Sequence, residues 1–590
     1  NCSFDVDAAF DNGSCGTGLY ECSNGQFGCG CDDYSCIDDE WNYDPNNDGW
    51  DYDGDGACDA GDGDDDNDGV GDADDTEDNN EFVCSDIDGD TCDDCASGTF
   101  DESNDGPDSD GDGICDSGET SNVITVGLVP GTYQFNYIQE GIDFASDGDT
   151  ILVAPGTYSG SGNFDLSFNG KNIVLISEEG PETTMIDCEF SGRAFTFDGG
   201  EASTAVLDGF QIIRGSQTYG GGIYIFASTP TINNCIISNC NAESGGGLYL
   251  TNASPTISNV TIMANQATSL DYHDGGGGIM CYNYSNPNLS NLIISSNSTT
   301  VGQGGGIYIK HNSDPILTDV EIHTNSAAHS GGGIAISYFS SPDLHNVNIS
   351  NNSASSSGGM TCWQNYEWWP EPDLSNPVNL DNVSIVDNYA SNGDGGFMYY
   401  GCHMNLDDVN ISFNTAENGS GGGSIVANSI VEFDGGIISN NQALNGSGGG
   451  LSIQNQSNVI LNKVLITNNS SSGQGAGIHS YSNANVNLYN VTISNNTSES
   501  AAGGGGMTLH EGANIHLLNT IVYNNTSPQI TFISDDEPSL IDIAYSNVQG
   551  GEVENADSES GGTVSWLDGN IDADPLFTDP DNSDFTLQWG

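Results

Sequence analysis

Between residues 220 and 510, apolar and polar positions alternate in short bursts, and each burst follows a run of glycines; Gly220-Gly221-Gly222-Ile223-Tyr224-Ile225 is the first. A period of two is that of a half-buried strand, whereas a helix would repeat its apolar face every 3.6 residues. The burst returns as Gly245-Gly246-Gly247-Leu248, Gly276-Gly277-Gly278-Ile279, Gly304-Gly305-Gly306-Ile307, Gly331-Gly332-Gly333-Ile334, Gly358-Gly359-Met360 and Gly395-Gly396-Phe397. Gly421-Gly422-Gly423-Ser424, Gly448-Gly449-Gly450-Leu451, Gly475-Ala476-Gly477-Ile478 and Gly504-Gly505-Gly506-Met507 complete the series. At a spacing of roughly 27 residues each unit is too small to bury its own core and must stack on its neighbours. Three short strands per unit, with no room for a helix, predict an all-β parallel β-helix. Glycine marks turns with no room for a Cβ, and Asn tolerates the left-handed turn conformation.

The second half of each unit reads Asn or Asp, apolar, any residue, Ile, then Asn three further on: Asn259-Val260-Thr261-Ile262 with Asn265, Asp319-Val320-Glu321-Ile322 with Asn325, and Asn490-Val491-Thr492-Ile493 with Asn496. Stacked, the last position forms a column of Asn265, Asn297, Asn325, Asn352, Asn388, Asn414, Asn440, Asn469, Asn496 and Asn525, with Cys240 at its start. Equivalent residues of a parallel stack lie ~4.8 Å apart, so these amides can bond to one another along the axis. A row of polar binding groups is the alternative, but regularity of this kind points to architecture. Ile223, Leu248, Ile279, Ile307, Ile334, Met360, Phe397, Leu451, Ile478 and Met507 are the expected inward column.

Residues 122–190 open the solenoid. Ile124-Thr125-Val126 is strand-like, Tyr137 to Ala145 has helical spacing, and Ile151-Leu152-Val153-Ala154-Pro155-Gly156 returns to strand and turn. A short amphipathic helix here would cover the unpaired edge of the first coil. With the glycine bursts and the Ile-x-x-Asn motifs, this succession resembles pectin-lyase-like β-helices and polymorphic outer-membrane-protein repeats over roughly residues 122–590. The resemblance implies a right-handed, three-faced solenoid, capped over 122–190 and repeating over 191–590. Beyond Leu576-Phe577 no cover for the final coil is evident before Gly590. An uncovered edge predicts head-to-tail association into fibres.

Residues 1–43 differ in kind: Cys2, Cys15, Cys22, Cys29, Cys31 and Cys36 lie among Gly, Asn and Asp with almost no apolar periodicity. Disulfides are the expected glue, with zinc at Cys29-Gly30-Cys31 the competing reading. Over 44–121 carboxylates then fall at every second position. Asp108, Asp110, Asp112, Asp116 and Glu119 surround Gly113 at the sixth place of a twelve-residue loop, the donor spacing of an oxygen cage for Ca²⁺. Asp51, Asp53, Asp55, Asp59 and Asp62 form a second copy, and Asp64, Asp66, Asp68, Asp72 and Asp75 a third. Asp44, Asn46 and Asp48 begin an overlapping loop, and Asp86, Asp88 and Asp90 a weaker one without the glycine. A solvated, disordered acidic linker is the alternative; the repeated sixth-position glycine argues for the metal. No helices flank these loops, which resemble thrombospondin type 3 repeats, and the resemblance implies a string of bound Ca²⁺ ions clipped by disulfides.

Charge narrows the partners. With a net charge of -81, five Lys and Arg, and 17 Cys, the chain repels nucleic acid and anionic membranes, attracts divalent cations, and fits an extracellular or cell-surface setting. No apolar run reaches the ~20 residues of a membrane span. Starting at Asn1 without a signal peptide, it reads as a processed form of a secreted protein. Asn-x-Ser/Thr triplets such as Asn259, Asn382 and Asn490 are candidate glycosylation sites. Between Met360 and Phe397 an insertion carries Cys362, Trp363, Tyr366, Trp368, Trp369 and Pro370. Clustered aromatics suit a sugar platform or a protein contact, unless the loop folds down on a coil. Cys402 lies where stacking would place a partner for Cys362.

β-Helices include polysaccharide lyases and hydrolases, so activity must be read from residues and not from the fold. A lyase needs a base beside Ca²⁺-binding acids, and Lys171, Arg193, Arg214, Lys310 and Lys463 do not cluster along the chain. For hydrolysis, Asp407-Asp408 is a weak pair, because Asp408 belongs to a turn column. The sequence reading is therefore of a calcium-stabilised adhesive or structural rod that is not an enzyme, with polysaccharide binding or lyase-type degradation as the alternative.

Overall fold

The computed structural model describes residues 62–89, 91–102, 105–106, 122–364, 376–500, 503–533, 537–552, 562–582 and 584–588, with Tyr52, Asp53, Asp59 and the backbone of four two-residue strands before residue 51. Two compact units divide the chain, residues 1–121 and 122–590. The second is a parallel β-helix of three sheets. A 27-stranded sheet carries the Asn-led halves, a 14-stranded sheet the strands that follow the glycines, and an 11-stranded sheet the short links between them. Strands pair in parallel one coil apart, as in Ile307↔Ile334 and Ile322↔Ile349. Midway along the long sheet one residue per coil adopts the left-handed conformation, including Asn259, Asn291, Asp319, Asn346, Asn382, Asp408, Lys463 and Asn490. This is the Asn/Asp column of the sequence, and it bends the sheet: Asn291, Asp319, Asn346 and Asp408 lie within one strand, whereas Asn259, Asn382, Lys463 and Asn490 separate two.

Every member of the expected inward column is buried. Where the column reaches Gly423, the Phe397 ring occupies the space a side chain would take, 2.5 Å from the position of a Cβ. The glycine run itself is required twice over. Gly304 has φ +63, and a Cβ there would lie 2.4 Å from the Ile307 carbonyl oxygen and 2.8 Å from the Tyr308 Cβ. At Gly305 a Cβ would meet the Gly332 carbonyl of the next coil at 2.5 Å. The turn thus folds back over the first outward-facing side chain of its own strand. Tyr308, Ala335, Thr361 and Ser452 point away from the core and are nonetheless buried.

The Asn column is a continuous hydrogen-bonded ladder. Asn352 Nδ2 donates to Ile322 O at 2.9 Å and to Asn388 Oδ1 at 3.1 Å, while Asn352 Oδ1 accepts from the Asn325 backbone N at 2.9 Å and from its Nδ2 at 3.1 Å. Cys240 heads the column, its backbone N donating to Asn265 Oδ1 at 2.9 Å. One expected member is corrected. Asn441 holds the ladder position, bonded to Ile411 O and Asn469 Oδ1, whereas Asn440 sits beside it in the left-handed region at φ 56. Gly435 replaces the usual Asn or Asp at the bend and Gly436 replaces the next apolar residue, so the motif reads one residue out of frame. Ile438 is buried and Ile437 exposed, since a one-residue slip exchanges the two faces of a strand.

At its beginning the solenoid is covered by the helix Ile138–Phe144, which buries Ile138 and Ile142 against the first strands. Gly141 allows the approach: a Cβ there would lie 2.8 Å from Val126 Cγ2. Lys171 Nζ donates to three carbonyls at the C-terminal end, Ile142 O, Asp143 O and Ala145 O, where the helix dipole favours a cation. An antiparallel hairpin, Phe577–Asp579 with Asp584–Leu587, lies beside Ser494, Asn495, Tyr523 and Asn524 of the last coils, leaving a cavity of about 280 Å³. The Cys362–Cys402 disulfide is present and buried across the insertion.

Candidate functional site

In the first unit the described carboxylates gather into two groups, each with its acid oxygens within 4.8 Å of one another: Asp64, Asp66 and Asp68, and Asp88, Asp94 and Asp105. The local chain explains the first. Gly69, at the sixth place of this loop, has φ +103 and donates its backbone N to Asp64 Oδ2 at 3.2 Å. Asp66 Oδ1 accepts from Asp68 N at 3.1 Å, and Asp68 Oδ1 from Val70 N at 2.8 Å, so alternate side chains turn to one side. In the second group Asp94 Oδ2 accepts from Ile87 N at 2.8 Å, folding the chain back toward Asp88. The Cys84–Cys95 disulfide sits beside both segments; its sulfurs are joined to each other and are not available as ligands to Asp68's group.

Each group keeps oxygens that the protein leaves unanswered. Asp64 Oδ1, Asp68 Oδ2, Asp94 Oδ1 and Asp105 Oδ2 are buried and have no hydrogen-bond partner among the described residues. Burial pushes the carboxyls of Asp66, Asp68 and Asp94 above the usual range, and Asp65, buried beside Asp72, Asp59 and Asp62, is pushed up to about 6. Two carboxylate charges 4.8 Å apart repel by about 3.5 kcal/mol at an effective dielectric of 20. A hard, oxygen-preferring divalent cation removes that repulsion and answers the orphaned oxygens, so the donor set fits Ca²⁺.

Other residues of the predicted loops take other places. Asp72 Oδ1 accepts from Asp65 N, Asp75 Oδ1 from Glu77 N and Asp86 Oδ1 from Gly89 N, each bracing a turn. Asp62 accepts from Gly63 N, Asp59 from Tyr52 N, and Asp53 from Asn67 Nδ2. Asp44, Asn46, Asp48, Asp51, Asp55, Asp90, Asp108, Asp110, Asp112, Asp116 and Glu119 lie outside the described residues, as do Cys29 and Cys31. Asp94 and Asp105 were missed by the sequence reading, because neither stands in an alternating run that ends in a sixth-position glycine.

In the second unit acids stand beside three of the five basic residues, Arg214, Lys310 and Lys463, a proximity that their spacing along the chain does not reveal. Arg214 forms a two-pronged ion pair with Asp187, and Lys463 Nζ lies 3.1 Å from Asp434 Oδ1. Arg193 stands over the Tyr224 ring at 4.9 Å. Lys310 is buried under the loop that precedes Gly276: its Nζ donates to His273 O at 2.6 Å, lies 3.7 Å from Asp274 Oδ1, and faces the rings of Tyr282, Tyr308 and Tyr338. Burial lowers its pKa against the opposing effect of Asp274 and Asp271. The rings themselves continue along the axis, Tyr219 to Tyr249, Tyr282, His311 and Tyr338, with centroids 4.4 to 6.2 Å apart. Of the predicted aromatic platform, Trp363 is 41% exposed and stacks on Tyr400 at 4.4 Å. Tyr366, Trp368 and Trp369 lie outside the described residues.

Residues 140–274 and 242–367 match the family model of the right handed beta helix region. The solenoid is a right-handed parallel β-helix. No curated protein matches the chain. Among solved structures, the pectate lyase Pel9A is 14% identical with a TM-score of 0.23, covering 80% of this chain and 89% of its own. A PL6 family alginate lyase, AlyGC, is 11% identical with a TM-score of 0.18, covering 72% and 85%. The reading that the chain is not an enzyme is corrected by these neighbours, both of them lyases, and is not retained. Likeness at this level assigns no activity to the chain either. No helix among the described residues is long and apolar enough to cross a membrane.

Proposed function

We propose that the chain is an extracellular surface rod: a right-handed β-helix whose N-terminal carboxylate loops bind Ca²⁺ and whose partners are surface polysaccharide or further copies of itself. The observation that carries this reading is the pair of converging carboxylate groups with buried, unanswered oxygens. Carboxylates held this way persist at neutral pH when a divalent cation sits between them, and free Ca²⁺ is plentiful outside cells. Disulfides belong to the same compartment. Adhesion suits a solenoid because stacking its coils builds one long rigid surface. Trp363, exposed and backed by Tyr400, supports a sugar contact on that surface.

Calorimetry and limited proteolysis test the metal half together. Titration of the chelator-treated chain with Ca²⁺ should give saturable uptake, reduced in both Asp68→Asn and Asp94→Asn. Residues 62–106 should be cut by protease in chelator and protected in millimolar Ca²⁺, with residues 122–590 resistant throughout. Absence of uptake, or equal uptake by both variants and the parent, would refute the metal. For the partner, the Ca²⁺-loaded chain should be retained on a panel of immobilised polysaccharides, with weaker retention for Trp363→Ala. New reducing or unsaturated ends in the same incubations would report turnover.

A further inference from the structure

A second cluster of metal-ligating side chains lies far along the solenoid. His479 belongs to the strand Ile478–Ser480 and His510 follows the strand Met507–Leu509 of the next coil. The register pairs His479 with Thr508 and Ser480 with Leu509, so the two histidines stand diagonally across adjacent coils. Their Nε2 atoms are 3.0 Å apart. We propose that His479 and His510 form a bis-imidazole site for a late first-row transition ion, Cu(II), Ni(II) or Zn(II).

Separation comes first. Two nitrogens each about 2.0–2.1 Å from one ion, subtending 90 to 109°, are about 2.8–3.4 Å apart, a range that includes the observed spacing. Orientation comes second. His510 Nδ1 lies 3.8 Å from Glu511 Oε1, and Glu511 is itself held by a hydrogen bond from Ser482 Oγ at 2.5 Å. A carboxylate on that side favours the proton at Nδ1 and turns the Nε2 lone pair toward His479. Rigidity comes third. The Tyr481 ring lies within 9° of parallel to His510 at 4.9 Å and 4.8 Å from His479, so one side chain walls both imidazoles. His479 is buried, which holds its imidazole in this position. His510 retains some exposure, through which water can complete the coordination. A neutral N–H···N hydrogen bond between the rings is the competing account of the same distance.

Electron paramagnetic resonance of Cu(II) separates the two. The full chain is first saturated with Ca²⁺ in excess, so that the carboxylate loops are filled, and then titrated with Cu(II). One equivalent should give a spectrum with hyperfine coupling to two imidazole nitrogens. His510→Ala should reduce the coupling to at most one nitrogen and weaken affinity at least 10-fold; Glu511→Gln should cost about 10-fold. His345→Ala and His516→Ala, whose rings each face an aspartate elsewhere, should leave the signal unchanged. A parent spectrum without the two-nitrogen coupling overturns the site, as does a two-nitrogen spectrum that survives in folded His510→Ala. His479→Gln repeats the test from the other ligand, with circular dichroism reporting that the solenoid is intact.

Discussion

Asn352→Ala tests whether the Asn ladder bears on stability or merely decorates the stack. Asn352 is 1% exposed, and truncation removes the acceptor of the Asn325 backbone N together with the donor to Ile322 O. Each buried polar group left unanswered costs about 1–3 kcal/mol, so two of them give about 2–6 kcal/mol. The control is Asn346→Gly in the neighbouring bend column. Asn346 is exposed at φ 54, donates to Asp319 Oδ1 and accepts from Asn382 Nδ2, so water replaces both bonds and glycine keeps the left-handed conformation. Its cost should stay within about 0.5 kcal/mol.

A solenoid can open locally, so one melting temperature would average over many coils. Native-state hydrogen exchange is the suitable measurement. In Asn352→Ala the Asn325 amide should exchange about 100-fold faster, the rate equivalent of about 3 kcal/mol, with the effect fading within a coil or two. Asn346→Gly should leave that amide unchanged. Equal exchange in the two variants, or no acceleration at Asn325, would show that the ladder amides carry no share of the stability and would refute the reasoning.

Two further outcomes follow from buried charge. Burial pushes the Asp394 carboxyl up to about 6, although it accepts from Ser420 N and Ser424 Oγ. The folded state therefore holds the proton more tightly than the unfolded one: its contribution is full below the unfolded carboxylate pKa and is lost as pH rises through 6. Between an unfolded value of 3.8 and about 6 the loss is about 3 kcal/mol. Asp394→Asn should remove that slope, leaving urea midpoints similar at pH 4 and higher than the parent's at pH 8; an unchanged slope would refute the assignment. Lys310→Met keeps the aliphatic stem and removes the charged donor to His273 O, a bond worth about 1.5–3 kcal/mol. Amides of residues 270–275 should then exchange about 10- to 100-fold faster while those of Ile307 and Ile309 hold; no change there would mean that the loop is fixed by its rings alone.

The parts of this molecule that can be read from its sequence are those in which one coil predicts the next. Ile307, Ile334 and Met360 recur at nearly constant spacing because each must fill the same place above its predecessor, and the glycine runs recur because the next coil's carbonyls leave no room for a side chain. Reading fails where a coil departs from that rule, as at Gly435-Gly436, or where no constant repeat exists, as at Asp94 and Asp105. The basic residues failed for a different reason. Arg214 and Asp187 are 27 residues apart, Lys463 and Asp434 29, and His479 and His510 31, each close to one repeat. Groups that look isolated along the chain are thus neighbours in space, because a β-helix turns a separation of one repeat into a contact between adjacent coils. Lys310 and His273 are 37 residues apart, because the insertion before Gly276 brings its own residues over the sheet. A search for charges and metal ligands at the repeat separation would have found the first three pairs; the fourth depends on where an insertion folds, which its length alone does not determine.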